Sequence, residues 1–401
     1  MMSFAGHGQQ LGSASPPYAE HRPTGEAAAF REEVCDWLKR MEGSLERFRR
    51  IPRDSEAIRR ELGSLQHLLY DAGLLRRGWP ENAGGLGGSP LLRGILSEEL
   101  AEAGYPPPFS FGVLEVLAAP LLDHADARLI AEALPPLLSG QETWCQGFSE
   151  PEAGSDLASL RTRAVLNGNH FIISGQKIWT SWAHHASRML LLARTGTRED
   201  GHRGISAFLV DMDTQGIAVR PLVAMNGDEE FAEVFFDDVR VPEDRLIGAV
   251  GGGWALAMQV LACERGALAW QRQAWMRSRF RDLITAAPLS DGTSAERMGS
   301  VYEKLWCLRL RARQTFRRMA AGDTAGPDAS VDKVLMASTE QDLFDAAVDL
   351  LQEEVLLGQG ERAAEWRNDY AYSRAATIYG GSSEIQRNIL AQRVLGLPRQ
   401  S

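Results

Sequence analysis

The sequence predicts an α+β protein laid out as helices, then strands, then helices. Apolar residues recur at helical spacing from about Gly25 to Gly140. Their period shortens toward two between Gln141 and Val241. Helical spacing returns after Trp254 and holds to the end. The expected divisions are a flexible arm over residues 1–24, an N-terminal helical domain over 25–140, a middle antiparallel β-barrel or sandwich domain over 141–245, and a C-terminal four-helix bundle over 246–401.

The arm is rich in Gly, Ser, Pro and Gln and lacks the continuous apolar run of a secretory signal. Phe30, Val34, Trp37 and Leu38 mark a first helix, and Ile58, Leu62, Leu65 and Leu69 a second. Gly78 to Gly88 reads as a loop, and helices follow near 91–103, 112–123 and 127–138, the last broken at Pro135-Pro136. Strands are expected at Phe171–Ser174, Met189–Ala193, Ala207–Val210 and Glu233–Phe236, with a turn at Asn167-Gly168-Asn169. Four long helices are expected near 252–286, 295–321, 330–357 and 383–395.

The 401 residues exceed what one hydrophobic core usually serves, and 44% apolar with 24% charged content is that of a globular chain. A net charge of -10 argues against nucleic-acid or acidic-membrane binding, and no run is long and apolar enough for a bilayer span. Cys35, Cys145, Cys263 and Cys307 form no C-x-x-C pair, which predicts a reduced, cytoplasmic protein with no disulfide framework and no metal site.

Five segments offer chemistry. Phe148 to Asp156 places Gly154-Ser155, with free N–H groups and a hydroxyl, where a planar or phosphorylated ligand is able to approach; a surface turn is the plain alternative. Gly175 to Ser181 puts Trp179 beside hydroxyls, suited to stacking on an aromatic cofactor or simply to core packing. Gly248 to Gly253 is spaced G-x-x-G-G-G without a βαβ unit, so a dinucleotide fold is rejected. In Leu261 to Leu268, Glu264 falls on the stripe of Ala257, Leu261 and Leu268; there it is either a desolvated general base or an ion-pair partner of another helix. Finally, Gly380-Gly381 forms a hinge before Ser383-x-x-Gln386, a capping-box pattern whose helix start suits a pyrophosphate.

In this order the five segments resemble the acyl-CoA dehydrogenase family, over about Ala28 to Arg399. The resemblance implies an FAD enzyme, a homodimer, homotetramer or α2β2 pair, that passes hydride from the acyl Cβ to flavin N5 and electrons onward to an electron-transfer flavoprotein. It implies that Gln146, Phe148 and Ser149 border the isoalloxazine, that Gly154 and Ser155 lie between flavin and CoA, and that Trp179 and Ser181 cover the ring and reach N5. Ser382 and Glu384 fall where the family holds the FAD diphosphate and adenosine half, and Tyr379 near the thioester, with Arg265 and Gly380 beside it.

Many members place a catalytic glutamate directly after this tyrosine; here Gly380 stands there. Glu264-Arg265 instead resembles the subset, similar to the isovaleryl-CoA and long-chain enzymes, whose base precedes a helix arginine. Gly380 and Gly381 are expected to clear room for branched or ring-bearing acyl groups. No counterpart of the family's R-x-T-F-G segment stands near 288–295, and its Q-x-x-G-G-x-G stretch is reduced to Gly358-Gln359-Gly360. Those departures leave two rival expectations: a catalytically silent subunit of a heteromer, and a flavin oxidase or monooxygenase on the same scaffold.

Overall fold

A computed structural model of the chain describes residues 25–50, 52–287, 292–323 and 326–398. The expected arm over 1–24 lies outside the described residues, as does 288–291 of the segment compared with R-x-T-F-G. The N-terminal helices are α1 (Glu26–Leu45), α2 (Ser55–Asp71), α3 (Leu91–Glu102), α4 (Phe111–Val113), a π-turn over Leu114–Ala118, α5 (Ala119–His124) and α6 (Ala127–Ser139). Asp54 and Asp126 cap α2 and α6 through their side chains.

The expected break at Pro135-Pro136 does not occur, and α6 runs through both. They sit in its last turns, where Leu134, Leu137 and Leu138 are buried and the Gln66 side chain donates to the carbonyls of Leu137 and Leu138. That anchoring outweighs the two lost N–H donors.

The middle region is one sheet of β1 (Trp144–Gly147), β2 (Arg163–Asn167), β3 (His170–Ser181), β4 (Arg188–Arg194), β5 (Ile205–Asp211), β6 (Ile217–Leu222), β7 (Phe231–Pro242) and β8 (Leu246–Ile247). Its order is β6-β7-β3-β2-β4-β5-β8, with β1 on β4. Pairing is mostly antiparallel as expected, but β1 and β2 meet β4 in parallel. Asn167 pairs with His170 across a two-residue turn with Gly168 at φ 65°, the hairpin expected there. β4 is apolar on both faces for a reason: Met189, Leu191 and Ala193 enter the core of the sheet, while Leu190 and Leu192 join the core of the N-terminal helices.

The C-terminal helices are α7 (Gly253–Ala286), α8 (Gly292–Ala320), α9 (Ala329–Leu351), α10 (Glu353–Leu357), α11 (Glu361–Ser373) and α12 (Ser383–Ile389), which continues as a π-turn to Val394. α7, α8 and α9 pack on one another, and α12 lies on α9. α11 has no counterpart among the four expected helices. Among the described residues no helix is long and apolar enough to cross a membrane.

Candidate active site

The first half of the site is built on β3. Lys177 falls on the inward phase of the strand set by Phe171 and Ile173, and it is fully buried. Its ammonium donates to the Phe148 carbonyl at 3.0 Å and pairs with Glu150 at 2.7 Å. Glu150 also accepts the backbone N–H groups of Arg161 and Thr162 at 2.6 and 2.9 Å. Ile178 N–H reaches the Ser149 carbonyl at 3.0 Å, so residues 148–150 at the start of the loop are tied to β3. Burial pushes Lys177 down to about 8, and the same lysine holds Glu150 below the usual carboxylate range against its own desolvation.

A bulge between Lys177 and Thr180 then turns Trp179 outward. Its backbone adopts φ 59° and its indole is 61% exposed, braced edge-on by Phe231 at 5.9 Å. A bulky residue held in the left-handed region with an uncovered ring is a strained arrangement of the kind found at ligand sites. Gly154 and Ser155 are exposed, with open space around Gly154. An uncovered indole, a clear glycine and neighbouring hydroxyls fit a planar ring such as isoalloxazine.

Phe148 is placed differently from the expectation. Its ring is 4% exposed in the N-terminal core, so only its backbone belongs to the loop surface. Gln146 is half-buried on β1 in register with Leu190.

The second half lies where α7, α9 and the 374–382 turn meet. Ser181, at the end of β3, and Tyr372 on α11 both approach the Glu230 carboxylate, the Tyr372 hydroxyl at 3.4 Å. Burial pushes Glu230 up to about 7. Tyr372 and Tyr379 stand 6.4 Å apart, and the Tyr379 ring lies 3.9 Å from the Lys333 ammonium. Glu264 is half-buried on α7 beside them; burial pushes its carboxyl up, opposed first by Lys333 and then by Arg265.

Gly380 explains how a helix glutamate reaches this turn. Its φ is 64°, and a Cβ there would stand 2.9 Å from Glu264 Oε1, 3.2 Å from Glu264 Cδ and 3.6 Å from Lys333 Cε. A Cβ on Gly381, φ 87°, would collide with Gln386 Nε2 and stand 3.6 Å from Arg265. The volume these glycines vacate is therefore filled by Glu264, Lys333, Gln386 and Arg265, not left open for an acyl group as the sequence suggested. Gly380→Ala should displace the Glu264 carboxylate and strain the turn, destabilising the protein by about 1–2 kcal/mol; a denaturant titration checks it.

The cap of α12 also differs from the expectation by one residue. Ser382 is the N-cap and accepts from Ile385 N–H at 3.4 Å, while Gln386 turns back to the carbonyls of Gly380 and Gly381. The glycine turn takes up the Gln386 side chain, so no Ser383–Gln386 box forms. Glu384 is exposed on the first turn. Arg265 Nε is buried without a hydrogen-bond partner among the described residues. The sequence reasoning missed Lys177, Glu230 and Lys333 as site residues. The inward strand phase was the signal for Lys177; Glu230 and Lys333 carried none beyond a charge near an apolar run.

Three family descriptions match consecutive parts of the chain: the N-terminal domain of acyl-CoA dehydrogenase over residues 24–141, the middle domain over 145–239 and the C-terminal domain over 251–395. The chain belongs to the acyl-CoA dehydrogenase family. As a member it is an oxidoreductase acting on acyl-CoA, in a family that is generally FAD-dependent. It is 37% identical over 380 residues to acyl-CoA dehydrogenase IpdE1 of Mycobacterium tuberculosis, covering 93% of this chain and 98% of that one. Cyclohexane-1-carbonyl-CoA dehydrogenase of Geobacter metallireducens is 33% identical over 55% of this chain and 59% of its own. Among solved structures, the Tcur3481-Tcur3483 steroid ACAD superposes with TM-score 0.81 at 27% identity, covering 94% of this chain and 99% of that one. The ChsE4-ChsE5 complex from Mycobacterium tuberculosis gives 0.78 at 26% identity, covering 95% and 100%.

Proposed function

We propose that this acyl-CoA dehydrogenase family member oxidises a bulky or ring-bearing acyl-CoA between Cα and Cβ to the 2-enoyl-CoA, with Glu264 as the base. The observation that carries the reading is the Glu264 carboxylate standing against the Gly380 turn, desolvated yet faced by two cations. Burial makes such a carboxylate a stronger base than one in water, and the two cations oppose its protonation. Tyr379 and the Gly380 turn position the thioester, and Arg265 lies alongside. Trp179, Ser181, Ser149, Gly154 and Ser155 would hold the flavin ring of FAD, and Ser382 and Glu384 its diphosphate and adenosine half. When bound, FAD supplies the hydride acceptor, and an electron-transfer flavoprotein takes the electrons onward. The fixed Lys177–Glu150 pair keeps the start of the loop in place.

The acyl class rests on relatives that include a steroid ACAD and a cyclohexane-1-carbonyl-CoA dehydrogenase. The purified protein should be yellow, and anaerobic addition of ring-bearing acyl-CoAs should bleach it faster than linear medium-chain ones. Faster bleaching by linear chains overturns the acyl class. A protein that binds FAD but is bleached by no acyl-CoA overturns the dehydrogenase reading.

A second reading, that the chain is one half of an α2β2 assembly, is favoured by two structural neighbours named as chain pairs, Tcur3481-Tcur3483 and ChsE4-ChsE5. A colourless preparation that gains flavin only with a co-expressed homologue would establish it. In either assembly, Trp179→Ala should weaken FAD retention by about 2–10-fold, since an aromatic contact contributes roughly 0.5–1.5 kcal/mol. Flavin fluorescence after gel filtration measures it.

A further inference from the structure

We propose that Lys333 is a positioning residue for the base: its ammonium holds the Glu264 carboxylate ionised and against the Gly380 turn, and so sets the pH above which the site accepts a proton. The proposal rests on the assignment of Glu264 as base.

Lys333 is 1% exposed on α9, where an ammonium without compensation is strongly disfavoured. It donates to the Ala376 carbonyl at 2.9 Å and lies over the Tyr379 ring at 3.9 Å. Among the described residues no carboxylate oxygen pairs with it within 4.0 Å. Its stem instead shares the Gly380 turn with Glu264, each reaching within 3.6 Å of the point a Cβ would occupy.

The other charges around this point are already committed or turned elsewhere. Glu340, also on α9, is held bidentate by Arg272 of α7 at 2.8 and 2.6 Å. Arg265 of α7 stands near Gly381; burial pushes it down, Glu264 opposes that push, and Arg393 beyond α12 adds to it. Tyr379, the titratable group of the turn, is pushed up by burial and stays neutral. Lys333 is thus the larger of the two counter-charges to Glu264 across the glycine, Arg265 being the smaller. Burial pushes Lys333 down to about 8, with Glu264 the largest influence in the other direction, and Lys333 is likewise the largest influence opposing the upward push on Glu264.

The sign follows. Without the ammonium, desolvation of Glu264 acts with only Arg265 against it, so its pKa rises and less of it is ionised near neutrality. In Lys333→Met, the acid limb of the kcat/KM profile should move up by at least one pH unit, about tenfold less activity on that limb, with the alkaline plateau retained. Lys333→Arg should move it back part of the way. Infrared spectra of the enzyme without substrate give a second readout: Lys333→Met should show a protonated-carboxyl band near neutral pH that disappears in Lys333→Met/Glu264→Gln. An unshifted limb, or a uniform loss at every pH with no such band, overturns the proposal.

Should Lys333→Met fail to fold, the reciprocal measurement decides. The Lys333 ammonium, followed by 15N NMR, should titrate lower in Glu264→Gln than in the wild type, and an unchanged titration overturns the pairing. If Glu264→Gln reduces flavin at the wild-type rate, the base assignment fails, whereas the infrared and NMR shifts still report on the pair itself.

Discussion

Glu264→Gln should bind FAD as the wild type does and lose flavin reduction by acyl-CoA by about 10²–10⁴-fold, the usual contribution of a positioned base. Glutamine keeps the size of the side chain and fits the same gap against Gly380, so the turn and α12 should be undisturbed. It has no carboxylate to take the α-proton. The residues proposed for the flavin ring lie on β3 and the 148–155 loop, so the visible spectrum should be retained. Anaerobic stopped-flow absorbance separates these effects. Glu230→Gln is the informative control, because Glu230 is the other carboxyl of the site pushed toward neutrality, at about 7. A Glu264→Gln enzyme reduced at the wild-type rate beside an inert Glu230→Gln enzyme would transfer the role to Glu230. The activity of the wild type should also rise with pH through the pKa of the base, since only the ionised form accepts a proton. Burial raises that pKa, so the limb should lie above that of a solvated glutamate.

Glu264 drew attention in the sequence because a carboxylate on an apolar helical stripe is unusual, and the structure sets it against the Gly380 turn. The stripe itself was only partly right. Leu256, Ala257, Val260, Cys263, Gly266 and Ala267 are buried and wrap much of α7, leaving Glu264 half-buried on the edge that meets the turn. The layout and the Asn167 hairpin were equally readable, since local periodicity and turn chemistry determine them. What escaped was decided by partners distant in sequence. α11 buries only Ala363, Trp366 and Ser373, and its remaining polar residues are satisfied elsewhere, Asp369 by Arg279 at 2.8 Å and Asn368 by Asp228 at 3.0 Å. With so few apolar positions its period does not stand out. Lys333 stands between Ser330 and Met336 with nothing local to mark it. Its meaning comes from Glu264, Ala376 and Tyr379, brought together by three separate segments. The glycines at 380 and 381 were recognised as space, but what fills that space is a tertiary fact.

Glu150→Gln should destabilise the protein by about 3–5 kcal/mol, the range for removing one partner of a buried ion pair. The amide keeps the shape of Glu150 but offers one acceptor oxygen to Lys177 and to the N–H groups of Arg161 and Thr162, where the carboxylate serves all three through two. Its NH2 would face at least one of those donors. Lys177 has no exposed surface and no other carboxylate within reach among the described residues, so its charge would be left in the core beside the Phe148 carbonyl alone. The pH dependence has a definite sign. Lys177 titrates at about 8 in the folded wild type against 10.5 ordinarily, so the unfolded chain binds more protons between these values. The lysine therefore adds a contribution that raises stability with pH across that window. In Glu150→Gln the folded value falls further, and this contribution spans a wider window. The deficit relative to wild type should accordingly grow as pH falls through about 8 and shrink toward pH 10, where the buried lysine is neutral in folded wild type and folded variant alike. Denaturant titrations at several pH values measure it. A deficit independent of pH would mean that Glu150 acts through packing and backbone hydrogen bonds, and that the 148–155 loop is held in place without the charge of Lys177.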